Sequence, residues 1–132
     1  MPKPHLVRQS IAAVLTVGLL APPLASAQVK RTPVLTADVA TPGHEAVVVR
    51  GEIAAGANAP RHTHPGDEIS YVIDGEVALL IDGEAARVVK AGEAFVIPAG
   101  KVHGARNDSG APVHFVGVYV VEKGKPLATP AR

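Results

Sequence analysis

From Val47 onward the chain is a series of short Val- and Ile-rich runs broken by Gly, Pro or Asp-Gly, and no segment is long enough for a helix. The clearest runs are Val47 to Ile53, Ile69 to Ile73, Val77 to Ile81, Arg87 to Lys90, Phe95 to Ile97 and Val113 to Val121. Strand-length runs spaced by turn residues predict an all-β sandwich or barrel. Asp74-Gly75 and Asp82-Gly83 each lie between β-forming runs. They predict hairpins, because both central residues of a type I′ turn need positive φ. The last run is apolar except for His114 and Gly117, so burial of both its faces is expected.

The first 27 residues have another character. Lys3 and Arg8 precede an apolar run from Ile11 to Leu20, and Ala25-Ser26-Ala27 ends the segment with small residues. This pattern predicts an export signal cleaved between Ala27 and Gln28. The uninterrupted run is roughly half of the 20 residues that span a bilayer, so no stable membrane anchor is expected after cleavage. The leader holds two of the 13 Lys+Arg and none of the 12 Asp+Glu, leaving 11 against 12, a formal −1. No basic stripe remains to attract nucleic acid. The chain has no cysteine. A disulfide framework is therefore excluded, and any metal must be held by nitrogen and oxygen.

Two segments carry the chemistry. In residues 56–75, His62 and His64 are two apart, so on a strand they share a face. Glu68 follows Pro65-Gly66 and opens the next strand, where its carboxylate can return to the same place. Two imidazoles and a carboxylate form a site for one divalent cation. In residues 92–107, Pro98-Ala99-Gly100 makes a turn and His103 opens the strand beyond it. Strand pairing can bring His103 in as a fourth ligand.

Together these segments resemble the paired signatures of the cupin superfamily. Gly56, His62, His64, Glu68 and Gly75 fill the first pattern, and Gly92, Pro98, Gly100, His103 and Asn107 fill the second. Agreement at ten named positions has a chance on the order of 10⁻¹³ per placement, at about 5% usage per residue type. The resemblance implies a double-stranded β-helix, or jelly-roll barrel. It also implies metal ligation by His62, His64, Glu68 and His103. With the leader read above, the expected division is a signal peptide (1–27), an N-terminal arm (28–45), a barrel (46–122) and a C-terminal tail (123–132).

Other polar residues have competing roles. Asn107 is expected to hydrogen-bond near a strand end, with contact around the metal as the alternative. His114 would be a core histidine or, facing inward, a proton carrier. Tyr71 and Tyr119 would pack or orient a substrate through their hydroxyls, and Arg61 could meet an anion at the rim. His44 is expected to be exposed.

Four protein ligands leave positions open on a six-coordinate ion, which suits catalysis. The first functional expectation is a metal-dependent enzyme acting on a small organic molecule by oxygenase or oxidase chemistry, with Glu68 doubling as a base. The metal could be Mn, Fe, Ni, Co, Zn or Cu. The second is a non-catalytic binding or sensing module, and the third a germin-like manganese activity on oxalate. A homodimer is expected, because a sheet edge needs covering and the arm is long enough to reach a neighbour.

Overall fold

The computed structural model describes residues 29–132, so the expected leader and its cleavage site lie outside the described residues. Ten strands occur and, among the described residues, no helix. They are β1 (Val29–Asp38), β2 (His44–Ile53), β3 (Asn58–Thr63), β4 (Gly66–Asp74), β5 (Glu76–Ile81), β6 (Arg87–Lys90), β7 (Ala94–Ile97), β8 (His103–Arg106), β9 (Val113–Glu122) and β10 (Thr129–Pro130). One antiparallel sheet runs β1-β2-β9-β4-β7 and the other β10-β3-β8-β5-β6. This is the expected jelly roll.

Alternation along the strands builds the core. On β9, Val113, Phe115, Gly117, Tyr119 and Val121 are buried, while the residues between them are only partly covered. The last run is thus buried on one face, not on both. The inward face packs Val72, Ile97 and Phe115 of one sheet against Val77, Leu79 and Val89 of the other. Each such side chain contributes about 1.5–3 kcal/mol by leaving water.

The two Asp-Gly turns behave differently from the expected hairpins. β4 and β5 flank Asp74-Gly75 but lie in different sheets, so this is a corner between sheets. Gly75 has φ +81, and a Cβ there would stand 2.8 Å from the Pro112 carbonyl oxygen. Around Asp82-Gly83, β5 and β6 do pair as a hairpin, with Leu79 opposite Arg87. Only Gly83 takes positive φ, so the turn is not type I′.

The two terminal segments join the sheets. Residues read as an arm form β1, which pairs along β2 of the same chain from Val29↔Ile53 to Asp38↔Glu45. In the tail, Thr129 and Pro130 pair with Thr63 and His62.

Candidate metal centre

A fault in the strand pattern aims the first two histidines. Ala57, just before β3, and Ala59 on it face inward with the usual period of two, but the β3–β8 register shifts between Ala59 and His62. A bulge of this kind re-aims the side chains that follow it. His62 and His64 turn inward as a result, and Arg61 turns out to pair with Asp82. His62 lies opposite His103 in the ladder, so the two imidazoles share one face.

Glu68 arrives from the other sheet. β4 packs so tightly against β9 that a Cβ on Gly66 would stand 1.9 Å from the Val120 carbonyl oxygen. Glycine there lets Glu68 approach, two residues further on. The Pro98-Ala99-Gly100 turn is tied to the first motif by Gly100 N–H donating to the His64 carbonyl, 3.0 Å, and Ala99 N–H donating to Asp67, 2.9 Å.

His62, His64 and His103 are buried, with ligand atoms within 4.8 Å of one another. Nδ1 of His62 lies 2.6 Å from the Pro60 carbonyl, Nδ1 of His64 lies 2.5 Å from the Leu127 carbonyl, and Nδ1 of His103 lies 3.0 Å from the Lys101 carbonyl. A carbonyl only accepts, so each Nδ1 carries a proton and Nε2 faces inward, the atom that a metal would take. There, Nε2 of His62 and His64 stand 3.2 Å apart, and Glu68 Oε2 stands 3.0 Å from His64 and 3.3 Å from His103. At this spacing a proton or a metal cation holds each pair together. The donor set fits a divalent transition metal, and three buried histidines could bind one.

Electrostatics agree with this. Burial pushes the His62 imidazole down to about 4, against the opposing pull of the Pro60 carbonyl. Burial alone would raise Glu68. Hydrogen bonding to His103, His64 and Ser70 overcomes it and holds the carboxyl well below the usual range. Ser70 Oγ donates to Glu68 Oε1 at 2.7 Å and fixes the carboxylate plane. A carboxylate held this low suits a ligand better than a base.

The remaining candidates lie apart from the centre. Asn107 is fully buried, but its Nδ2 donates to the carbonyls of Ile53, Ala54 and Ala111, and it locks two loops together. Tyr71 is half exposed on the outer face of β4. His114 is neither a core histidine nor an inward proton carrier. It lies half exposed on the outer face, 3.6 Å from Asp74 and 3.9 Å from Glu52. The pleat places it there, because its neighbours Val113 and Phe115 take the inward positions. His44 is partly covered and hydrogen-bonds to the Pro42 carbonyl.

Tyr119 is fully buried, with its ring 4.7 Å from that of His64 and its hydroxyl without a partner. Burial and the Glu68 carboxylate push that hydroxyl above the usual phenol range, so it stays a donor. Ser70, Leu127 and Arg31 also border the centre. Nothing in the local sequence marks them, because their roles come from strand pairing.

The family of cupin domains matches residues 49–121. The chain belongs to the cupins. Among solved structures, this cupin is similar to a protein with a double-stranded β-helix domain from Klebsiella pneumoniae subsp. pneumoniae MGH 78578. The two share 26% identity over 80% of this chain and 85% of that one, with a TM-score of 0.65. It is also similar to an oxalate oxidase in complex with the substrate analogue glycolate, at 30% identity over 76% of this chain and TM-score 0.61. The match covers 54% of that chain, so the cupin spans about half of the oxidase. The DMSP lyase DddQ from Ruegeria pomeroyi DSS-3 shares the fold at 22% identity and TM-score 0.61, over 65% of this chain and 43% of that one. Among curated proteins, none matches this cupin.

Proposed function

We propose that this cupin is a metal-dependent enzyme that transforms a small organic molecule by oxygenase or oxidase chemistry. One observation carries the reading: three Nδ1-anchored imidazoles and the Glu68 carboxylate converge on a single point at the edge of an apolar cavity. His62, His64, His103 and Glu68 would hold the ion. Bound there, a divalent transition metal supplies Lewis acidity and, where redox-active, electron exchange.

The chain's own residues prepare the rest of the site. Val72, Leu79, Val113 and Phe115 wall the cavity and exclude water. The cavity measures about 30 Å³, room for roughly two waters, so a substrate of a few heavy atoms is favoured. The Tyr119 hydroxyl can donate a proton or a hydrogen bond beside His64. The likeness to an oxalate oxidase supports small-acid chemistry, including the manganese oxalate activity of germin-like proteins. The test loads the protein with Mn, Fe, Ni, Co, Cu or Zn in turn and screens small organic acids, diketones and phenols. Oxygen uptake and product mass should depend on the metal and vanish in Glu68→Gln and His103→Ala. Ligand binding without turnover, for every metal, would favour a binding or sensing module.

We further propose a second copy of the chain as partner, seated on the outer sheet face, and export after cleavage at Ala27-Gln28. The intact mass of exported protein should lack residues 1–27; a full-length mass in the membrane fraction contradicts export.

A further inference from the structure

Among the described residues, Arg31 is the cation that the topology turns toward the metal centre. On β1, Val29, Arg31 and Pro33 lie opposite Ile53, Gly51 and Val49 of β2, and Val49, Gly51 and Ile53 form the buried face of that strand. Cross-strand partners point to the same side, so the Arg31 side chain enters the barrel while Lys30 and Thr32 stay exposed. Its guanidinium borders the same cavity as His62, Glu68 and His103. It also borders the outer groove formed by Pro60, Arg61, His62, Ala128 and Pro130. Arg31 therefore stands between solvent and the metal centre.

In that position part of the side chain is left without a partner. Arg31 Nε is buried and has no hydrogen-bond partner. Among the described residues no carboxylate makes a salt bridge with it. The Tyr119 hydroxyl, a donor, is the other buried polar atom left without a partner, and Arg31 lies close enough to stabilise its ionised form. Two orphan donors border a site that has ample ligands for a cation and none for an anion. A divalent ion against the single Glu68 carboxylate leaves one positive charge, and Arg31 adds a second. In an apolar cavity such an excess calls for a counter-charge.

We propose that Arg31, reaching in from the first strand, is the anion-recognising residue of this site and that the ligand is a small carboxylate. One carboxylate oxygen faces the metal position, and the guanidinium takes the anion by charge-assisted hydrogen bonds, with the Tyr119 hydroxyl as a further donor. The proposal rests on the metal-site reading. It adds the charge of the ligand and the residue that selects it.

The test is binding, followed by titration calorimetry on the full chain loaded with Zn or Mn, with metal content measured in every sample. Glycolate is the probe and glycolamide its neutral control. Wild type should bind glycolate at least about tenfold more tightly than glycolamide, because the amide forfeits the charge-assisted bonds. Arg31→Gln should keep its metal and bind glycolate roughly 10- to 100-fold more weakly. Arg31→Lys, which keeps the charge and loses the fork, should fall between. If Arg31→Gln does not fold, Arg31→Met keeps the apolar stem and supplies the same comparison. Equal glycolate affinity in metal-loaded wild type and variant overturns the proposal alone. A wild-type chain that takes up no metal overturns it together with the reading beneath it, and metal content identifies that case.

Discussion

The backbone carbonyl of Leu127 lies 2.5 Å from Nδ1 of His64, so the last residues of the chain orient a ligand brought in by the third strand. Leu127 also packs against the small cluster of Val49, Tyr119 and Val121, and β10 beyond it pairs with His62 and Thr63. Partners that fix a ligating histidine are typically worth 10- to 100-fold in metal affinity. Deleting residues 126–132 should weaken metal binding by about that factor in a competition titration with a chromophoric chelator. Leu127→Ala keeps the carbonyl and should cost much less affinity. Unchanged binding after the deletion would show that the tail does not orient His64.

The three histidines should act as a unit. With metal at a hundred times its Kd, linkage adds about 2.7 kcal/mol to stability, or roughly 10–20 °C in Tm for a domain of this size. His62→Ala, His64→Ala and His103→Ala should each abolish most of that metal-dependent rise, read by scanning calorimetry with and without metal. His44→Ala, which removes only a hydrogen bond to the Pro42 carbonyl, should leave it intact. Full metal occupancy in all three ligand variants would refute the assignment.

Without metal, the protein should lose stability in mild acid. The His62 imidazole is depressed to about 4 from an ordinary 6.5. Between those values the unfolded chain binds the proton and the folded chain does not, so stability rises with pH across that window. Glu68 is shifted down as well, and it contributes a loss of the same sign below the ordinary carboxylate range. Thermal melts of metal-free protein should show Tm falling from pH 6.5 toward pH 4. In His62→Ala the part of the slope above pH 5 should flatten, and an unchanged slope there would remove His62 as its source.

Much of this arrangement is legible in residue order, because the signals are local. Val and Ile runs with period two give the strands, and the spacing from His62 to Glu68 and from Pro98 to His103 gives the centre. What stays hidden depends on pairing between distant strands. Nothing around Asp74-Gly75 shows that β4 and β5 leave for different sheets. The bulge at Pro60 and Arg61 that turns His62 inward becomes visible only against β8. Arg31 reads as one more charge in a mixed arm until β1 is laid on β2, and His114 reads as buried until the pleat of β9 is fixed by Phe115.

The outer face of the first sheet bears on assembly. Leu35, Val48, Val118, Ile69 and Val96 are consecutive cross-strand partners and form one apolar row across all five strands. Leu35, Ile69 and Val96 are about half exposed, and Tyr71 and Ile73 extend the row along β4. Large contiguous apolar patches on a folded surface mark contact sites. A five-stranded face can supply the roughly 800 Å² per partner that a stable pair needs. The arm read as long enough to reach a neighbour instead lies on β2 of its own chain, so the proposed contact is placed on this face. Light scattering at micromolar concentration should give the mass of a dimer. Ile69→Lys, at the middle of the row, should shift it to monomer with the metal-dependent rise in Tm retained, since the side chain points away from the centre. A wild-type monomer at that concentration, or a dimer indifferent to Ile69→Lys and Val96→Lys, would exclude this face as the contact.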